Sequence, residues 1–164
     1  MLDGKMFAFK CEHSDSLVRS TMAYPDLNAL MNDLLPLAER LLAEHGEFYP
    51  FGGSIALDGK HISVGAKTKC DRPKVRELIE IMTDNFRSQA SEAKIRAAGI
   101  CFDVRVIPPG QVDKTDASQL ALERKNEAVD VFVPYARLPD GKFTYSEMFA
   151  SPRTPTFIVA HAKG

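Results

Sequence analysis

Three side chains near the middle of this chain could do acid–base chemistry if folding brought them together: Glu123, Asp130 and Arg105. Side chains alternate faces along a strand. In residues 118–124, Leu120 and Leu122 therefore share one face, and Ala121 and Glu123 the other. In residues 129–135, Val129, Val131 and Val133 oppose Asp130 and Phe132. The polar stretch 125–128 is short enough for a hairpin. A turn centred on Asn126-Glu127 sets Leu122 opposite Val131, Leu120 opposite Val133 and Glu123 opposite Asp130. Like charges so placed repel. They need solvent or a cation, and Arg105 on an adjacent strand would serve. Two carboxyls held close in a poorly hydrated place split their pKa values and can act as acid and base. An arginine beside them binds an anionic substrate through two parallel hydrogen bonds. That is the equipment of a small hydrolase. The plainer reading is two acids on a wet sheet face, where exposed charge is ordinary.

A second candidate site is the connector 47–53, in which Phe48, Tyr49 and Phe51 surround Pro50 ahead of Gly52 and Gly53. As a ligand-binding wall it would offer aromatic rings and an approachable backbone. As a packing device it would plug one end of the core. It lacks the spacing and the Lys-Ser/Thr ending of a phosphate loop.

Other chemistry is poorly supported. Cys11 and His13 are two soft ligands, but structural zinc takes four, and the rest would have to come from distant residues such as His45, His61 or His161. Neither a metal nor a cofactor is expected. Cys101 would need a histidine brought beside it to act as a nucleophile, and in a strand it reads as a small packing residue. No nucleophile elbow, dinucleotide-binding fingerprint or paired-histidine zinc motif is present.

The elements that would position these residues are legible from periodicity. Residues 97–106 alternate, with Ala98, Ile100, Phe102, Val104 and Val106 on one face, and Pro108-Pro109-Gly110 ends the run. Phe102 and Phe132 thus fall on different faces, so both faces of the sheet need cover. Leu27, Leu30, Met31, Leu34, Ala38, Leu41 and Leu42 form a helical stripe, with Asp26 as cap, Pro36 as a kink or break and Gly46 as the stop. Asp58-Gly59 marks a hairpin between strands 54–57 and 61–66. Val75, Leu78, Ile79, Met82, Phe86, Gln89 and Ala90 form a second stripe after Asp71 and Pro73, running to about residue 93. Residues 143–149 continue the sheet, 151–155 read as a loop, and 156–161 as a closing strand. The expected fold is α+β: a two-layer domain over 24–164, mainly antiparallel, of about five to seven strands, with two long helices packed on one face. Residues 1–23 read as an N-terminal arm or extension.

With 164 residues the chain suits one domain. A net charge of −1 offers no footprint for nucleic acid or an anionic membrane. No apolar run approaches the ~20 residues that span a bilayer, and residues 1–12 lack the apolar core of a secretory signal. Three scattered cysteines make no disulfide framework and fit a cytoplasmic setting.

Taken together, the connector Phe48-Tyr49-Pro50-Phe51-Gly52 and the hairpin 120–135, with its Val131-Phe132-Val133-Pro134-Tyr135 return, resemble a family of small bacterial proteins with no assigned activity. The resemblance covers about residues 30–150 and implies a bacterial cytosolic protein; it implies no catalytic residue. The reading that follows is a non-enzymatic binding or assembly module that associates with itself as a homo-oligomer. The hydrolase using Glu123, Asp130 and Arg105 is the first alternative. A small-ligand binder at the aromatic connector is the second.

Overall fold

Stretches of alternating apolar side chains form the centre of the sheet. In the computed structural model, which describes residues 24–65 and 72–158, β3 (Ile95–Val106), β4 (Thr115–Arg124) and β5 (Glu127–Arg137) follow one another antiparallel. β1 (Phe51–Ala56) pairs with β3, and β2 (His61–Gly65) pairs outside β1. Two short strands share the outer edge of β5: β6 (Phe143–Tyr145) at one end and β7 (Phe149–Arg153) at the other. The result is a seven-stranded antiparallel sheet in the order β2-β1-β3-β4-β5-β6, with β7 also on β5. The α+β class expected from the sequence is the one observed.

The β4–β5 register differs from the expected one by two residues. Leu122 faces Val129 and Leu120 faces Val131, because the turn is Lys125-Asn126, with Asn126 at φ 68. A shift of two leaves every side chain on its expected face. Glu123 and Asp130 therefore stay on one face, but as diagonal neighbours, with Glu123 opposite Ala128 and Asp130 opposite Ala121.

Helix α1 (Pro25–His45) buries Leu27, Leu30, Met31, Leu34, Leu35, Ala38 and Leu42 against a sheet face that presents Leu120, Leu122, Val129, Val131 and Val133. Each large aliphatic side chain so enclosed contributes roughly 1.5–3 kcal/mol. Pro36 does not break the helix. It lies on the solvent side, as does Asn32 one turn earlier, so water can take the carbonyl that a backbone N–H would have bonded. Gly46 ends the helix at φ 78, its N–H donating to the Leu42 carbonyl. Asp26 is not the cap; that position is Tyr24, with no side-chain bond. Asp26 instead receives both arms of Arg96, at 2.9 and 3.0 Å.

Helix α2 (Val75–Ser91) buries Leu78, Met82 and Phe86. It lies on the opposite face from α1, not on the shared face expected. A β-carbon on Gly53 would meet Leu34 and Leu30 of α1, whereas one on Gly52 would meet Phe86 of α2, and consecutive residues of a strand point to opposite faces. Residues 97–101 of β3 are buried on both sides, so their alternation does not mark a single core face. Ala97 and Cys101 join the α1 layer, and Ala98 and Ile100 the α2 layer. Phe102 and Phe132 consequently share one face, on either side of Gln119.

Beyond β7 the chain turns back over the α2 face. Of the expected closing strand 156–161, residues 156–158 are bends and 159–161 lie outside the described residues; Phe157 stacks on Phe86 with centroids 5.6 Å apart. Ser151–Arg153, expected as a loop, completes β7; its Pro152 is tolerated because β7 is an edge strand. No helix among the described residues is long and apolar enough to cross a membrane.

Candidate functional site

Glu123 sits on the α2 side of β4, between Ala98 and Ala128 on the flanking strands, and is wholly buried. Its carboxylate is saturated. Oε1 accepts the backbone N–H groups of Thr156, Phe157 and Ile158 at 2.9, 2.8 and 2.9 Å. Oε2 accepts the Thr156 hydroxyl at 3.0 Å and a guanidinium N–H of Arg153. Arg153 also donates to Asp130 at 2.8 Å. The two acids are therefore bridged by a cation, as their proximity requires, but the cation is Arg153 and not Arg105. Arg105 points to solvent and faces Asp116 at 3.6 Å. Burial alone would lower the pKa of Arg153; its bonds to Asp130 and Glu123 outweigh that and hold the guanidinium above its usual range. From helix α2, Arg87 donates to the Thr156 carbonyl at 2.9 and 3.2 Å. This cluster fastens residues 153–158 to the sheet. While that segment is in place, no substrate reaches Glu123.

The connector builds a different kind of place. Gly46 releases the chain from α1, and Pro50 leads it into β1. Between them Phe48 and Phe51 pack edge to face, with centroids 5.6 Å apart. Beside them opens a cavity of about 770 Å³ lined by Leu37 and Leu41 of α1, Phe48, Tyr49, Phe51, and Val75 at the start of α2. Tyr49 is 54% exposed and Val75 45%. The ionisable side chains in its lining besides Tyr49 are His45, Glu47 and Asp103. Gly52 and Gly53, expected beside a ligand, instead lie inside β1 under the helices. A β-carbon on Gly52 would come within 2.5 Å of the Gly99 carbonyl, so the glycines serve close packing.

Asp103 comes from the end of β3 and accepts a hydrogen bond from the Tyr135 hydroxyl at 2.6 Å. Crowding by the protein raises the carboxyl above the usual aspartate range. The Tyr135 bond pulls the other way, and Asp116 adds to the rise. Solvent still reaches Asp103, which limits the effect. Tyr135 is itself pushed well above a normal phenol by burial and by Asp103. Sequence reasoning missed this pair, because Asp103 reads as one more polar residue on an exposed face.

A smaller cavity of about 380 Å³ lies between α1 and the β5–β6 turn, lined by Glu39, Ala43, Lys142, Phe143 and Tyr145 among others. Burial raises Glu39, and Tyr145 is pushed up to about 12, first by burial and then by Glu39. Cys101 is fully buried, and its thiol is raised by that burial. His61 pairs with Asp33 at 2.7 Å and joins no cluster of metal-binding type among the described residues. Cys11, His13 and His161 lie outside those residues.

Comparison with protein-family models, with curated proteins and with solved structures finds no match.

Proposed function

We propose that this chain is a non-enzymatic binding domain that takes a small, largely apolar molecule in the cavity beside residues 47–51. The observation that carries the reading is the cavity itself. Its volume of about 770 Å³ falls within the few hundred to a thousand Å³ typical of ligand sites, and its make-up is typical as well: apolar and aromatic walls with a few polar groups among them. Three of its walls, Phe48, Tyr49 and Phe51, are the aromatic residues that the sequence singles out. The acidic cluster does not compete as a site, since Glu123 has no free lone pair and no access.

Thermal-shift screening of an amphipathic small-molecule library tests this, because a ligand that binds only the folded state raises its stability by mass action. Hits should lose their effect in Phe48→Ser and Leu41→Asp variants. Hits unaffected by both variants would place binding elsewhere.

Self-association is supported as a second reading by the half of the α2 face that neither described helix covers. There Phe102, Gln119, Phe132 and Phe149 lie side by side, half-buried, with Phe132 stacked on Phe149 at 4.9 Å. Light scattering across a concentration series tests it. A monomer at every concentration removes it and leaves the cavity reading untouched.

A further inference from the structure

We infer that the molecule bound in the cavity carries a positive charge: an alkyl- or arylammonium compound whose cationic head lies against the aromatic rim and Asp103. This rests on the cavity being the binding site. Among the described residues of its lining the carboxylates are Glu47 and Asp103, the other titratable groups are His45 and Tyr49, and there is no lysine or arginine. Arg137 lies against Gly46 and over the Phe143 ring, 5.6 Å from its centroid, and Arg105 faces Asp116. Among the described lining residues an anion would meet two carboxylates, with the His45 imidazole as the one basic group. A neutral apolar molecule would fit the walls but use none of the rim's charge. A cation uses both features, because the faces of aromatic rings carry negative potential and the Tyr135 hydroxyl holds the Asp103 carboxyl at the rim. The apolar body of the ligand then lies along Leu37, Leu41 and Val75.

Three probes of equal chain length separate the possibilities: n-octyltrimethylammonium, 1-octanol and octanoate. Each is titrated into the full chain at neutral pH below its micelle concentration and followed by heteronuclear NMR. The cation should bind about tenfold more tightly than the alcohol, from one exposed charge contact and ring contacts together, and octanoate should be weakest. Asp103→Asn should weaken the cation by about fivefold and leave octanol unchanged. Tyr49→Leu, which keeps apolar volume but removes a ring, should also weaken the cation alone. Both residues are solvent-accessible, so both variants should fold. If octanol binds as tightly as the ammonium compound, the charge inference is wrong while the cavity reading stands. If none of the three binds, both are wrong. If both variants bind the cation as the parent does, it does not sit in this cavity.

Discussion

Replacing Glu123 by glutamine should destabilise the protein far more than a one-atom change suggests. The carboxylate receives three backbone N–H groups, one hydroxyl and one guanidinium N–H, with no exposure to solvent. An amide presents an NH2 where one oxygen stood. Placed at Oε1, it faces the N–H groups of Thr156, Phe157 and Ile158. Placed at Oε2, it faces Arg153 and Thr156. Either orientation strands buried donors, at about 1–3 kcal/mol each, and removes one of the two charges that compensate Arg153. Breaking one side of a buried pair costs about 3–5 kcal/mol, the range we expect here. For a chain of this size that is a fall of roughly 6–20 °C in Tm. Urea denaturation should show a lower midpoint with the slope unchanged, and amide exchange should show lost protection at residues 156–158. A midpoint change equivalent to less than about 1 kcal/mol would refute the reasoning, because it would rank this network with ordinary surface pairs.

Gly52→Ala should cost more than Gly99→Ala. The added carbon at Gly52 meets a backbone carbonyl at 2.5 Å, whereas at Gly99 the nearest atom is the movable Leu122 side chain at 2.8 Å; chemical denaturation of the two variants checks the order. Tyr135→Phe should raise the titration midpoint of Asp103, because it removes a hydrogen bond that lowers it, and carboxyl-carbon NMR reads the shift. A raised acid holds its proton more tightly in the folded than in the unfolded chain. That contribution to stability is present at low pH and lost as pH rises from the unfolded to the folded midpoint, a window that Tyr135→Phe should widen upward. In a Cys11→Ser, Cys70→Ser background, Cys101 should resist alkylation until the protein unfolds, since it is buried and its thiol is raised; rapid modification of the native protein would contradict the packing described.

Most of the architecture was legible because it depends on local pattern. The stripe on α1, the alternation along β4 and β5 and the glycine-marked turns are each set within a few residues of chain. What was not legible depends on distant partners. A strand buried on both faces, as β3 is at 97–101, carries no alternation to name its side, so nothing in the pattern separates the two helices onto opposite faces. Arg153 lies in a stretch that its neighbouring prolines mark as loop, yet it supplies the cation that Glu123 and Asp130 need. The side chains of Phe48, Tyr49 and Phe51 do line a cavity, but Asp103 joins them only through the pairing of β1 with β3. No signal near residue 103 indicates that.

Glu123 draws its hydrogen-bond partners from 30 to 35 positions later in the chain. A polypeptide leaving the ribosome can form the β3–β4 and β4–β5 hairpins before those partners have been made. Until residue 158 has cleared the exit tunnel, the carboxylate must keep its water, and that side of the nascent sheet stays wet. Closure of the second layer is therefore timed by synthesis: the first layer can dry early under α1, and the other waits for its latch to be translated.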